Sequence, residues 1–217
     1  KKGLAINLSH IINPPLKIRG VRGVMNKKGK LIVLYGINNL GKSTQAHKLV
    51  ERLKESGKQV EYLKYPIYDL EPTGPRLNAI LREGAEPEIT AMEMQEIYAQ
   101  NRRDYQAELE QKLEDGVWIV AEDYKGTGIA WGWTKGADLI TLERINADLL
   151  DENIAILLDG DRFLDGKEDN HLHESDDDMM KRCRAKHLDL AKRYNWKITQ
   201  ANKSIDEVSD DIWEIVL

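Results

Sequence analysis

Hydrophobic positions along the chain alternate between two rhythms. Short apolar runs, Leu31-Ile32-Val33-Leu34-Tyr35, Val117-Trp118-Ile119-Val120-Ala121 and Ile154-Ala155-Ile156-Leu157-Leu158, are too short for helices and read as buried strands. Residues 60–65, ending at Pro66, and 196–200 read as two more. Between them apolar residues recur at helical spacing. Ala46, Leu49, Val50 and Leu53 mark a helix stopped by Gly57. Further helices are predicted over 75–83, 88–114, 137–150, 176–194 and 204–216. The glycine-bearing stretch with Trp131 and Trp133 is expected to be a loop. Residues 160–175, polar and aperiodic, are expected to form a flap. Strands alternating with helices predict an α/β fold: a five-stranded parallel sheet in a three-layer arrangement with helices on both faces. In such sheets ligands meet the C-terminal strand ends, where Gly36, Tyr65, Glu122 and Asp159 fall.

The first of these ends carries a nine-residue signature. Gly36-Ile37-Asn38-Asn39-Leu40-Gly41-Lys42-Ser43-Thr44 fits G-x-x-x-x-G-K-[ST], with a strand before it and a helix after it. Loop N–H groups and a helix N-terminus form an anion nest there. Lys42 then reaches the β- and γ-phosphates, and Ser43 offers a hydroxyl to Mg²⁺. The expected class is a P-loop NTPase fold binding a nucleoside phosphate.

Composition narrows the partners. The net charge of −5 conceals a first 30 residues with eight lysines and arginines and no acid, leaving 24 basic against 37 acidic residues from position 31 onward, a net of −13. An acidic body argues against a nucleic-acid groove, so the expected ligand is a small nucleotide. No apolar run approaches membrane-spanning length. One cysteine, Cys183, excludes an intramolecular disulfide and suggests a reducing cytoplasm. Residues 1–24, with Asn13-Pro14-Pro15 and no period, read as a disordered leader. A basic tail, a targeting leader and translated upstream sequence all fit it. The last is preferred, because Met25 sits just before the first strand. Residues 25–217 then form one domain.

Three other segments bear on the reaction. Tyr65 and Tyr68 follow the second strand, where a ring either stacks on a base or covers the sheet edge. Tyr98 and Arg102, four apart on a helix, put a ring beside a guanidinium that can hold a planar base. A solvated helix face is the plainer alternative and suits Arg103 better. Glu122 and Asp123 end a buried strand, where a carboxylate reaches Mg²⁺ or merely caps a turn.

With these segments in order, the chain resembles the thymidylate kinases from about Leu31 to its end. Lys42-Ser43-Thr44-Gln45 is similar to the family's G-K-S-T-Q, and Tyr65-Pro66 to its Phe-Pro. Tyr98-Ala99-Gln100-Asn101-Arg102-Arg103 resembles its aromatic-x-x-N-R stretch. Glu122-Asp123-Tyr124 through Trp131 resembles D-R-Y-x-x-S-x-x-A-Y, and Trp196 to Val208 its terminal strand, turn and helix. The resemblance implies transfer of the γ-phosphoryl of ATP to dTMP, with Mg²⁺. It implies that residues 36–44 bind ATP, that Lys42, Glu122 and Arg102 serve catalysis, and that Ser43 and Glu122 hold the metal. Tyr65, Tyr68, Tyr98, Arg102, Asp123, Thr127 and Trp131 then bind the acceptor, Trp131 crowding the sugar's 2′ position. Family members commonly form homodimers through helices; burial within one chain explains the apolar positions of 89–113 equally well.

Departures from the pattern are specific. Asn38 replaces the usual acid, and Asp123 stands where an arginine meets the monophosphate. The P-loop and flap arginines are missing, with Leu172-His173-Glu174 in place of R-Y-E. Lys125, Lys167, Lys181, Arg182 and Arg184 are candidates to compensate. Two alternatives follow: a deoxynucleoside or other nucleotide kinase of the same fold, and a catalytically weakened nucleotide-binding protein.

Overall fold

The computed structural model describes residues 28–86, 88–163 and 177–217. The leader, and most of the expected flap with Lys167 and Leu172-His173-Glu174, lie outside the described residues. Five parallel strands, β1 (Leu31–Tyr35), β2 (Val60–Lys64), β3 (Trp118–Glu122), β4 (Ile154–Asp159) and β5 (Lys197–Gln200), form one sheet in the order β2-β3-β1-β4-β5. Every residue of β1 is buried. Since side chains alternate between faces, the sheet is covered on both sides.

Among the described residues seven helices supply that cover: α1 (Lys42–Glu55), α2 (Thr73–Glu83), α3 (Ala91–Glu114), α4 (Lys125–Thr134), α5 (Leu139–Ile145), α6 (Asp177–Arg193) and α7 (Ile205–Val216). α1 packs on α7, while α4 packs on α3, α5 and α6. No described helix is long and apolar enough to cross a membrane. Local chemistry sets several ends. Thr90 and Glu93 close a capping box on α3, and Ser204 and Glu207 do the same for α7. The apolar positions of α3 are used within the chain: Leu109 and Leu113 join the main core, and Met94 and Ile97 pack with Leu77, Ile80 and Leu81 of α2.

Two expectations need correction. The glycine-bearing stretch around Trp131 is helix α4, not a loop. Its glycines permit close packing instead of turning the chain: a β-carbon on Gly126 would stand 2.4 Å from the Trp196 ring, and one on Gly132 2.7 Å from Leu142. The helix expected over 137–150 is α5, only seven residues long, started by the Asp138 side chain accepting from the Thr141 N–H.

Candidate active site

β1 delivers its glycine loop at the C-terminal edge of the sheet. Gly36 lies 2.7 Å, measured from an ideal β-carbon, from the Leu158 carbonyl oxygen, so any side chain there would collide with β4. Gly41 takes a left-handed conformation (φ 76°) and starts α1. Ile37 and Leu40 turn into the core, 3% and 2% exposed. Their side chains anchor the loop, so any part they take in phosphate binding falls to their backbone N–H groups. Asn38, Asn39, Gly41, Lys42, Ser43 and Thr44 line a cavity of about 470 Å³, a size suited to a small ligand. Lys42 is buried, and its Nζ donates to the Ile37 carbonyl at 3.0 Å.

Strand register brings the acids to this loop. Glu122 pairs with Leu34 on one side and Lys64 on the other. Its carboxylate accepts from the Tyr62 hydroxyl (2.7 Å) and lies 3.3 Å from Lys64 Nζ. Burial pushes its pKa up, but Lys42, Tyr62, Ser43 and Lys64 outweigh that and leave it below the usual carboxylate value. Asp123 follows in a left-handed conformation (φ 61°), its N–H donating to the Leu34 carbonyl. Its Oδ1 accepts from the Thr127 hydroxyl at 2.8 Å and lies 3.9 Å from Lys42 Nζ. Here burial prevails over the Lys42 charge, and the carboxyl is held above its ordinary value.

The opposite wall belongs to α3 and the segment after β2. Tyr65 is 2% exposed, its ring 5.2 Å from that of Tyr124, and it lines the cavity. Asn101 holds the segment in place: its Oδ1 accepts from the Ile67 N–H (2.8 Å), and its Nδ2 donates to the Ile67 carbonyl (3.0 Å). Tyr68, Tyr98, Arg102, Thr127 and Trp131 also line the cavity. Arg102 is 5% exposed and pairs with no carboxylate among the described residues. Nη1 donates to Asn146 Oδ1 at 3.3 Å, while Nε is buried without a partner. Burial lowers its pKa, an effect that the surrounding tyrosines Tyr124, Tyr35, Tyr65 and Tyr98 oppose. Arg103, by contrast, is half-buried and paired with Asp148 at 2.7 Å.

Family models and known relatives agree on this architecture. The thymidylate kinase family model matches residues 34–212. The chain belongs to the thymidylate kinase family. The human thymidylate kinase is 29% identical over 191 residues, covering 86% of this chain and 89% of the human one. A probable thymidylate kinase of Thermococcus onnurineus (strain NA1) is 27% identical over 200 residues, covering 85% and 96%. Among solved structures, the thymidylate kinases of Candida albicans (TM-score 0.72, 21% identity, 87% and 91% covered) and Ehrlichia chaffeensis (0.70, 16%, 88% and 100%) share the fold.

Within this thymidylate kinase framework the cations that line the cavity differ from those expected. Lys125 pairs with Asp151 and Glu152, Lys181 with Asp178, and Arg184 with Asp159 and Asp161. None of them lines the cavity, nor does Arg182. Lys64, Arg82 and Lys135 do, together with Gln95 and Phe163. Arg82, Gln95 and Lys135 sit in ordinary helical or turn sequence, and nothing local marks them. Asp159, expected at the ligand edge, is instead held by Arg184 through Nε (2.6 Å) and Nη2 (3.1 Å).

The donor set fits Mg²⁺ held jointly with a nucleotide. No group of three or more His, Cys, Asp or Glu among the described residues forms a closed metal cage. An ionised Glu122 beside the Ser43 hydroxyl offers the oxygen donors that a divalent cation shared with phosphates would take.

Proposed function

We propose that this thymidylate kinase family member transfers the γ-phosphoryl group of ATP to the 5′-phosphate of dTMP, giving dTDP and ADP. Arg102 is the observation that carries the reading. A purely structural buried arginine is normally neutralised by a carboxylate. This one lines the cavity beside Tyr98 with part of its guanidinium unpartnered, which suits a base carbonyl as the missing acceptor.

In this scheme the loop N–H groups and Lys42 hold the ATP phosphates, Lys42 exchanging its Ile37 carbonyl for a phosphate oxygen. Ser43 and Glu122 would hold Mg²⁺, which when bound would neutralise charge on the phosphate oxygens. Tyr65, Tyr98 and Arg102 orient the base, Tyr68 and Thr127 flank it, and Trp131 screens the sugar. A phosphate oxygen is already a nucleophile, so dTMP needs no proton removed; positioning and electrostatics carry the rate.

The test is ADP release from Mg²⁺-ATP with dTMP, dUMP, thymidine or no acceptor, with Lys42→Met as the control. The expected outcome is release that depends on dTMP and falls at least ~100-fold in the control. Absence of dTMP-dependent release despite ATP binding would overturn the proposal.

A further inference from the structure

The acceptor's phosphate needs a cation, and position 123 does not supply one. Asp123 stands there, its Oδ1 bonded to the Thr127 hydroxyl and 3.9 Å from Lys42 Nζ. The cavity is positive all the same: Lys42, Lys64, Arg82, Arg102 and Lys135 line it against Glu122 and Asp123. Three of these cations have their place in the scheme already. Lys42 belongs to the ATP phosphates, and Lys64 Nζ lies 3.3 Å from Glu122. Arg102 is buried beside Tyr98 and bonded to Asn146. Lys135 follows α4, about 12 Å along the helix from Thr127 and so from the Asp123 end.

Arg82 comes from the wall that holds the acceptor. It is exposed in the last turn of α2 and makes no ion pair among the described residues. Its guanidinium lies over the Tyr68 ring at 5.5 Å, held by cation–π attraction at the cavity that both residues line. Tyr68 and Tyr98 pack on one small core, in which Leu77, Ile80 and Leu81 of α2 meet Met94 and Ile97 of α3. Asn101, next to Arg102, ties the start of α2 to α3: its Nδ2 donates to Thr73 Oγ1 at 3.0 Å. The backbone that carries Arg82 is therefore fixed relative to the residues that orient the base. The segment bearing Tyr68 also starts beside Asp123, because the Tyr65 N–H donates to the Glu122 carbonyl at 3.0 Å.

We infer that Arg82, carried over the Tyr68 ring, binds the 5′-phosphate of the acceptor and supplies the cation that position 123 lacks. The inference rests on the dTMP reading of the cavity. A guanidinium meets phosphate through two parallel N–H bonds, a geometry that a lysine cannot offer. A phosphate monoester gains far more from that charge than a neutral hydroxyl does. Arg82 thus sets the preference for a nucleoside monophosphate over the nucleoside, while Tyr98 and Arg102 treat the two alike.

The full chain, without ATP, is titrated with dTMP and with thymidine as the phosphate-free probe, following ligand resonances by NMR. Arg82→Gln should weaken dTMP binding about 30-fold, as for a lost charge-assisted pair, and leave thymidine within about twofold. Arg82→Lys keeps the charge without the fork and should recover part of the loss. Arg82 is exposed and glutamine is a comparable helix former, so the variant keeps the fold. Equal weakening of both ligands would overturn the inference and make Arg82 a support for the Tyr68 wall. A loss selective for dTMP in Lys135→Gln but not in Arg82→Gln would also overturn it, placing the phosphate at the end of α4. The ADP-release assay judges the dTMP reading separately. Turnover of dTMP by the wild type, with dTMP binding unaltered in Arg82→Gln, would overturn this inference alone; a wild type that neither binds nor converts dTMP would overturn both.

Discussion

Gly128 of α4 faces the guanidinium of Arg102 so closely that a β-carbon on it would stand 2.9 Å from Nη2 and 3.1 Å from Nη1. The glycine thus sets where a buried cation meets the ligand cavity. In Gly128→Ala the guanidinium or the Gln95 side chain must give way, and KM for dTMP should rise about tenfold, the cost of weakening one charge-assisted hydrogen bond. Alanine is the better helix former by roughly 1 kcal/mol, which offsets the crowding, so Tm should move little. Steady-state kinetics beside a melting curve separate the two effects. An unchanged KM would mean that the arginine's position is not required.

Arg102 itself sets function against stability. A buried guanidinium without a carboxylate costs folding free energy that a long apolar side chain does not. Arg102→Met should therefore lower kcat/KM for dTMP by roughly 100-fold, as for a lost charged hydrogen bond with its orientation. It should also raise Tm by about 2 °C or more, given ~1 kcal/mol of relief in a chain of this size. A fall in Tm would show that Arg102 is chiefly structural.

Glu122 joins the metal reading to an observable. Glu122→Gln keeps an acceptor for Tyr62 but removes the charge opposite Lys64. The Mg²⁺ concentration for half-maximal activity should increase on the order of tenfold. A titration at fixed ATP measures it, and an unaltered Mg²⁺ requirement would remove Glu122 from the metal site.

His187 gives the fold an acid-sensitive element. It is 1% exposed in α6, and its Nδ1 lies 3.0 Å from the Cys183 carbonyl. A carbonyl only accepts, so Nδ1 carries the proton in the neutral ring, and Nε2 is buried without a partner. Burial and the Lys42 charge lower its pKa to about 4, against the carbonyl bond that raises it. The unfolded chain binds this proton more readily than the folded one. Its contribution is therefore complete above about pH 6.5 and is lost as pH falls towards 4, on the order of 3 kcal/mol in all. Urea unfolding from pH 7.5 to 4.5 should show that slope, and His187→Gln should flatten it. An equal slope in the variant would assign the acid sensitivity elsewhere.

What the sequence determined by itself was local. Strand, glycine loop and helix at 31–55 are legible because backbone demands and phosphate chemistry act over consecutive residues. The same locality separated Arg102 from Arg103, since one helical step moves a side chain from the buried face to a half-exposed one. The tertiary structure decided what depends on neighbours distant in the chain. Gly126, Gly128 and Gly132 read as loop residues until Trp196, Arg102 and Leu142 are seen filling the space that their missing side chains leave. Lys125 and Arg184 look available until Asp151 and Asp159 are beside them, while Lys64, Arg82 and Lys135 gain meaning only from the cavity they share. A charge's role follows from its distance to other charges and from its burial, and the folded chain alone sets both.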